Sequence, residues 1–207
     1  MKTKLPYKKK HLDYLVSSCW YKEVITDPRQ TFAEAFSYMD LIRYRQKLKM
    51  VISATTLESI YIGDSVSNLL CDFKLLESVI NAAYIVNRDK IKNPIIINDR
   101  DLMNANLYSG SHRDYSAWDF FPRSLSKDEY KDPYLVFPVF FGYQSLQKWK
   151  RDLQEIMEAA LVSDLEVPGV DQLEIYFQLT KLLEAAHLID VRENTHVRGQ
   201  LKNRGLN

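Results

Sequence analysis

The feature that most constrains this fold is a series of apolar stripes with the spacing of an α-helix. Four segments carry apolar residues three and four positions apart over at least three turns, beginning near Asp27, Asp64, Gln144 and Val170. The first of these aspartates precedes Pro28, and the second precedes a serine. Such side chains accept hydrogen bonds from the first N–H groups of a helix, and proline fits the first turn. We therefore predict helices in all four segments.

The composition favours helices over a β-sandwich. The chain has only 6 glycines, but 13 tyrosines, 9 phenylalanines and 3 tryptophans among its 207 residues. An all-β sandwich needs repeated turn residues, and glycine is one of the commonest. We predict a mainly α fold, an irregular bundle of about five or six helices with one or two short extended segments. The alternative is an α+β fold with a small edge hairpin.

Two apolar segments have no helical spacing. Residues 91–97 and 134–143 are rich in apolar side chains, and each contains a proline. We predict extended segments there, at an edge or crossing the core, because proline is excluded from central strands. The helix that begins after Asp27 is expected to reach Ile62 or to restart near Thr55.

The two cysteines, Cys19 and Cys71, belong to no CxxC motif or Cys/His cluster. Cys19 lies within residues 11–25, whose apolar positions predict a short amphipathic helix. Both cysteines lie among apolar residues, so we predict reduced, buried thiols in a reducing compartment. The sequence shows no signal-peptide pattern, and no apolar run approaches the ~20 residues of a membrane span. We expect a cytoplasmic protein without membrane contact.

Charge is unevenly distributed along the chain. The net charge is +1, but residues 1–10 and 192–207 are rich in lysine and arginine, and the segment between them is more acidic than basic. Basic ends can bind polyanions or can be solvated tails. The candidate polyanion-binding residues are Lys8, Lys9, Lys10, Arg198, Lys202 and Arg204. Because no linker or repeat divides the sequence, we predict one helical domain, 1–207, with basic terminal tails.

Residues 107–123 concentrate chemically reactive side chains in a segment without helical or strand periodicity. Such side chains commonly lie on loops that a rigid scaffold holds in place. The candidate ligand-binding residues are His112, Arg113, Asp114, Trp118 and Arg123. A catalytic triad is not expected, because neighbours in sequence rarely converge in space. The alternative is a structural loop whose aromatic residues pack on the helices while its charges face water.

Two Glu-x-x-His pairs, Glu184 with His187 and Glu193 with His196, have the spacing of metal ligands on one helical face. A dinuclear centre needs such pairs on two different helices, together with further glutamates from other helices. Here the pairs lie nine residues apart and the second falls in the irregular C-terminal segment, so we predict no metal site and no cofactor. The glycines form neither a P-loop nor a dinucleotide-binding motif, which excludes those nucleotide sites.

These patterns specify no reaction. We expect an intracellular, non-enzymatic binding protein that acts through protein or nucleic-acid contacts. The alternative is an enzyme or small-molecule-binding protein whose pocket is covered by the 107–123 loop. A pocket protein should enclose a cavity beside that loop, whereas a binding module should present an exposed aromatic or basic face.

Overall fold

The computed structural model describes residues 15–57, 59–110, 115–162, 171–197 and 199–202. Within these ranges the chain forms seven α-helices and two short antiparallel hairpins. The helices are α1 (Pro28–Tyr38), α2 (Leu41–Thr56), α3 (Val66–Asp89), α4 (Lys127–Lys131), α5 (Val136–Tyr143), α6 (Leu146–Leu161) and α7 (Gln172–Glu193). The hairpins pair β1 (Val16–Ser17) with β2 (Glu23–Val24) and β3 (His196–Val197) with β4 (Gln200–Leu201). The prediction of a mainly α fold with short extended segments is confirmed.

The four predicted helix starts are present, and each carries a side-chain cap. Asp27 accepts a hydrogen bond from the backbone N–H of Arg29 at 2.9 Å, immediately before α1. Ser65, Ser145 and Asp171 accept equivalent bonds at the starts of α3, α6 and α7. Because a cap and its partner lie within three residues of each other, these starts are visible in the sequence.

The helix predicted after Asp27 ends early. α1 ends at Tyr38, Met39 is extended, and Asp40 starts α2 by accepting from the backbone N–H of Arg43 at 2.8 Å. The break buries Met39, which is only 5% exposed. It also lets two shorter helices, in place of one long helix, pack against α7.

The prediction of a helix over residues 11–25 is wrong for its described part, because residues 16–24 form the first hairpin. Residues 11–14 lie outside the described ranges. Two side chains of α3 hold the hairpin: Ser78 Oγ accepts from Ser18 N–H at 2.8 Å, and Asn81 Nδ2 donates to the Val16 carbonyl at 3.0 Å. These tertiary bonds satisfy backbone groups that a helix would pair internally.

The prediction of an extended segment over residues 134–143 is also wrong. A 3-10 turn, Pro133–Leu135, leads into α5 there. Pro138 is the third residue of α5, and the first four N–H groups of a helix have no partner within that helix. The proline therefore removes no hydrogen bond, and the segment can bury Phe137 and Phe140 as one helical face.

Both cysteines are free thiols. Cys19 is buried beside the first hairpin, as predicted, but Cys71 is exposed on α3, so the prediction of burial is wrong for that residue. Position 71 follows the fully buried Leu69 by two residues, which places it on the far side of the helix.

The last helix, α7, is the central element of the fold. It packs against α1, α2, α3 and α5, and every residue in 182–192 is buried. A helix buried on all sides is normally apolar, yet this stretch contains Glu184, His187 and Asp190. Buried polar side chains need hydrogen-bond partners. Several of these partners come from the 107–123 loop.

Candidate functional site

The described parts of the 107–123 loop, residues 107–110 and 115–123, contact α7. The turn Ala105–Leu107 leads into it, and the turn Ala117–Phe120 lies near its end. In the second turn, the Asp119 carboxylate accepts from the backbone N–H of Ser116 at 3.0 Å and from its hydroxyl at 2.9 Å. The loop therefore has local helical structure, although its sequence shows no helical periodicity.

Two side chains of α7 hold the start of the loop. Arg192 Nε donates to the Leu107 carbonyl at 2.8 Å, and Arg192 Nη1 donates to the Tyr130 carbonyl at 2.7 Å. His187 Nε2 lies 3.2 Å from the Tyr108 carbonyl. Burial lowers the pKa of Arg192, and its guanidinium also stacks over the Tyr130 ring at 4.7 Å. Arg192 is thus a buried part of α7 and not a member of a solvated tail.

An ion pair between α2 and α7 holds the end of the loop. Arg45 donates to the Asp119 carbonyl at 2.9 Å and to the Phe121 carbonyl at 3.1 Å. Arg45 Nη2 also donates to Glu184 Oε1 at 2.5 Å. The same carboxylate accepts from the backbone N–H groups of Arg123 at 3.1 Å and Ser124 at 2.8 Å. Three loop residues and Ser124, which directly follows the loop, are therefore fixed by charged side chains.

The physical strength of this arrangement comes from burial. The Glu184 side chain is 0% exposed and the Arg45 side chain is 15% exposed. Hydrogen bonds to ionised groups are roughly twice as strong as neutral ones, and solvent screens them little when they are buried. Removing one partner of such a pair leaves a buried charge without compensation. The loop backbone is consequently rigid at both ends.

The aromatic residues of the loop differ in burial. Phe120 is fully buried and stacks on His187 with a centroid distance of 5.7 Å. Trp118 is 53% exposed and stacks on Phe121 at 4.7 Å with an interplanar angle of 14°. Phe121 in turn contacts Tyr108 edge-on at 5.0 Å. The loop thus buries the rings of Tyr108 and Phe120 and presents that of Trp118 to solvent.

The sequence-derived candidates fall into three groups. His112, Arg113 and Asp114 lie outside the described residues, as do Lys8, Lys9, Lys10, Arg198 and Arg204. Trp118 and Arg123 lie on the loop with exposed side chains. Lys202 follows β4 and forms an ion pair with the Asp190 carboxylate of α7. Only Trp118 and Arg123 are therefore described candidates with side chains open to a partner.

Sequence reasoning missed the residues that hold the loop. Glu184 and His187 form one of the Glu-x-x-His pairs, and this spacing places both side chains on one face of α7. The pair faces the loop and contacts its backbone at Arg123 and Tyr108. The available signal was a pair of polar residues within the apolar stripe of a helix. That signal does not identify Arg45, which lies 139 positions away from Glu184.

Two clefts lie on other parts of the surface. The first, of about 450 Å³, lies between α2 and α3, with Lys47 between the carboxylates of Asp64 and Asp72. The second, of about 430 Å³, lies where α5 meets α6 and α7 begins, and we call it the α6–α7 cleft. Its lining residues are Tyr143, Gln144, Ser145, Lys148, Asp152, Asp171 and Ile175. Neither cleft is lined by a described residue of the 107–123 loop.

Two searches of the described ranges were negative. No group of three or more His, Cys, Asp and Glu side chains in those ranges is placed to hold a metal ion. No helix in them has the length and apolar character needed to cross a bilayer. Comparison with known proteins was also negative: no protein-family model, no curated protein and no solved structure matches this chain.

Proposed function

We propose that this chain is an intracellular, non-enzymatic binding protein that docks a protein partner on the 107–123 loop. One observation carries the proposal: Trp118 remains 53% exposed on a loop whose backbone is held by buried charges. Tryptophan is among the residues most enriched at the energetic centres of protein interfaces. A large exposed aromatic ring on a rigid loop is therefore suited to insert into a partner.

The rigidity of the loop adds to the affinity that Trp118 can provide. Ordering a mobile side chain or loop during association reduces the free energy of binding. Here Arg45 and Glu184 already fix the backbone that directly follows the tryptophan, at residues 119–124. Trp118 also keeps a defined orientation, because its ring stacks on Phe121. Most of the ordering is thus complete before the partner arrives.

The neighbouring Arg123 adds a charge to this surface. Its side chain is exposed, while its backbone N–H is bound to Glu184. Arginine is enriched at interfaces and binds carboxylates through two parallel hydrogen bonds. A partner with an apolar pocket and a carboxylate beside it would match both side chains.

The remaining alternatives have less support. A pocket covered by the 107–123 loop would need loop residues in the wall of a cavity, and the two clefts described above are lined by other residues. Polyanion binding through the C-terminal basic residues is weakened at Lys202, whose ammonium already pairs with Asp190. A cytoplasmic location is part of the proposal, since the two free thiols suit a reducing compartment.

Site-specific crosslinking tests this proposal. A photoreactive phenylalanine analogue replaces Trp118 in the full chain, and the matched control carries it at Phe177, which is 47% exposed on α7. We expect a discrete crosslinked protein from position 118 and none from position 177. With that protein purified, Trp118→Ala should weaken binding about 30-fold, which corresponds to ~2 kcal/mol. Phe177→Ala should change the affinity less than twofold.

The opposite result is equally clear. A partner that crosslinks equally from both positions, or that binds folded Trp118→Ala as tightly as the unmodified chain, would refute docking on the loop.

A further inference from the structure

The α6–α7 cleft contains two buried polar side chains with unused hydrogen-bonding atoms. Asp152 is 1% exposed, and its Oδ2 accepts from Lys148 Nζ at 2.6 Å. Its Oδ1 has no hydrogen bond, and Arg151 Nε lies 3.9 Å from it. Gln144 is 8% exposed, and its Nε2 has no hydrogen-bond partner either. One acceptor and one donor therefore remain unpaired in the wall of a single cleft.

Unpaired polar atoms are costly in a protein interior. Each buried donor or acceptor without a partner costs about 1–3 kcal/mol, and native structures contain few of them. Other buried atoms of the described residues also lack a hydrogen bond, among them Arg45 Nε and Asn81 Oδ1. Gln144 and Asp152 differ from these in lining a cleft of about 430 Å³, which can admit a group that pairs with both of their atoms.

A primary carboxamide supplies both the acceptor and the donor that these two atoms require. Its carbonyl oxygen can accept from Gln144 Nε2, and its N–H can donate to Asp152 Oδ1. The rest of the cleft suits an apolar or aromatic body, since Ile175 lies in its wall and the Tyr143 ring is 45% exposed. Lys148 stays paired with Asp152 Oδ2, which leaves Oδ1 as the acceptor for the ligand.

We propose that the α6–α7 cleft binds a ligand through a primary carboxamide, held between Gln144 Nε2 and Asp152 Oδ1. Both atoms are closed to bulk water in the free protein, so binding includes a rotation of the Gln144 side chain at the junction of α5 and α6. Side-chain rotations of this kind are common when ligands bind. The carboxamide belongs either to a free small molecule or to an asparagine side chain, and this inference is independent of the proposed docking at Trp118.

Titration of the 15N-labelled chain with four probes tests the inference by NMR. Benzamide stands for a free carboxamide, and N-acetyl-asparagine N-methylamide stands for the side chain of a protein. N,N-dimethylbenzamide lacks the donor, and benzoate lacks the donor and carries a negative charge. We expect saturable shifts of the backbone signals at residues 143–148 with at least one of the first two probes. Binding of the two control compounds should be at least tenfold weaker.

Variants link the binding to the assigned atoms. Gln144→Leu should weaken carboxamide binding at least tenfold, and Gln144→Glu, which replaces the donor by an acceptor, should do the same. Gln147→Leu alters an exposed glutamine three residues along the chain and should leave binding unchanged. The spectrum of each variant reports whether the fold is intact, so the second Gln144 variant replaces the first if leucine unfolds the chain.

Several outcomes would overturn the inference. These are an absence of saturable shifts with either carboxamide, equal binding of benzamide and its dimethyl derivative, and normal binding to a folded Gln144 variant. Each of them would mean that Gln144 and Asp152 bond to each other or to water alone. Shifts with benzamide only, or with the asparagine derivative only, identify the source of the carboxamide.

Discussion

Glu184 and Asp152 are both buried carboxylates on long helices, but their surroundings differ. Glu184 on α7 is 0% exposed, and both of its oxygens accept hydrogen bonds, from Arg45 and from two backbone N–H groups of the 107–123 loop region. Asp152 on α6 is 1% exposed, but only one of its oxygens is bonded. Both oxygens of Glu184 are therefore occupied by hydrogen bonds that hold the fold together. Asp152 retains an acceptor, which is what a binding site requires.

The largest expected effect follows from removing the fully bonded carboxylate. Glu184→Ala removes the counter-charge of Arg45 and leaves two backbone N–H groups without an acceptor in a buried place. We expect a loss of about 3–5 kcal/mol in the free energy of unfolding, as for other broken buried ion pairs. Urea denaturation measures it, and Glu158→Ala, an exposed glutamate on α6, is the control with a change within about 0.5 kcal/mol. A loss below about 1 kcal/mol at Glu184 would contradict the account of the loop.

A smaller effect on the free energy of unfolding is expected for Trp118, the exposed ring of the loop. Trp118→Ala removes a half-exposed ring and its stacking on Phe121, so the free energy of unfolding should fall by only about 1 kcal/mol. Phe120→Ala, two residues later and fully buried, should cost about 3–5 kcal/mol. Thermal melts of the two variants compare them directly. Equal losses would mean that Trp118 stabilises the fold and is not reserved for a partner.

Neutralising Asp152, the carboxylate with one unbonded oxygen, should change the free energy of unfolding little. Asp152→Asn removes the cost of burying a charge and keeps an oxygen that accepts from Lys148, whose side chain is 40% exposed and can turn to water. We expect a change within about 1 kcal/mol in either direction. The same urea experiment checks this value. A loss of 3 kcal/mol or more would show that Asp152 is as fully engaged as Glu184, and would remove the distinction between the two sites.

The smallest expected effect concerns Asp99, an exposed carboxylate that contrasts with the buried Glu184 and Asp152. Hydrogen bonds from Lys127 and Lys131 lower the pKa of Asp99 from its ordinary value of 3.8 to about 2. Because this carboxyl is easier to ionise in the folded state, its contribution to stability is present above about pH 4 and is lost as the pH falls towards 2. A carbon-detected NMR titration should give a midpoint near 2. Replacing both lysines by alanine should return it towards 3.8, and an unchanged midpoint would contradict the assignment.

The sequence predicted the helices more accurately than the tertiary contacts between them. The caps at Asp27 and Ser65 and the apolar stripes of α3, α6 and α7 are local patterns, and all of them correspond to helices in the structure. The first hairpin was not predictable in this way, since residues 16–24 have apolar positions at helical spacing as well. Bonds from Ser78 and Asn81 of α3 select the hairpin there. The helix α5 was also missed, because Pro138 indicated extended structure. A proline is excluded from a helix interior but not from the first turn.

The candidate site likewise combines features that the sequence shows with contacts that only the folded structure shows. The sequence located the 107–123 loop and its exposed Trp118, because a segment without periodicity is visible in one dimension. It could not show which residues hold that loop, nor that Gln144 and Asp152 line one cleft.

The sequence by itself determined the helical class and most of the helix starts, since caps and apolar stripes act over a few residues. The tertiary structure decided what the buried charges do. Glu184 meets Arg45 across 139 positions and the loop backbone across about 60, and no local pattern encodes those partners. A buried carboxylate is stable only where the folded chain supplies its donors. Its role is therefore set by three-dimensional neighbours and not by its place in the sequence.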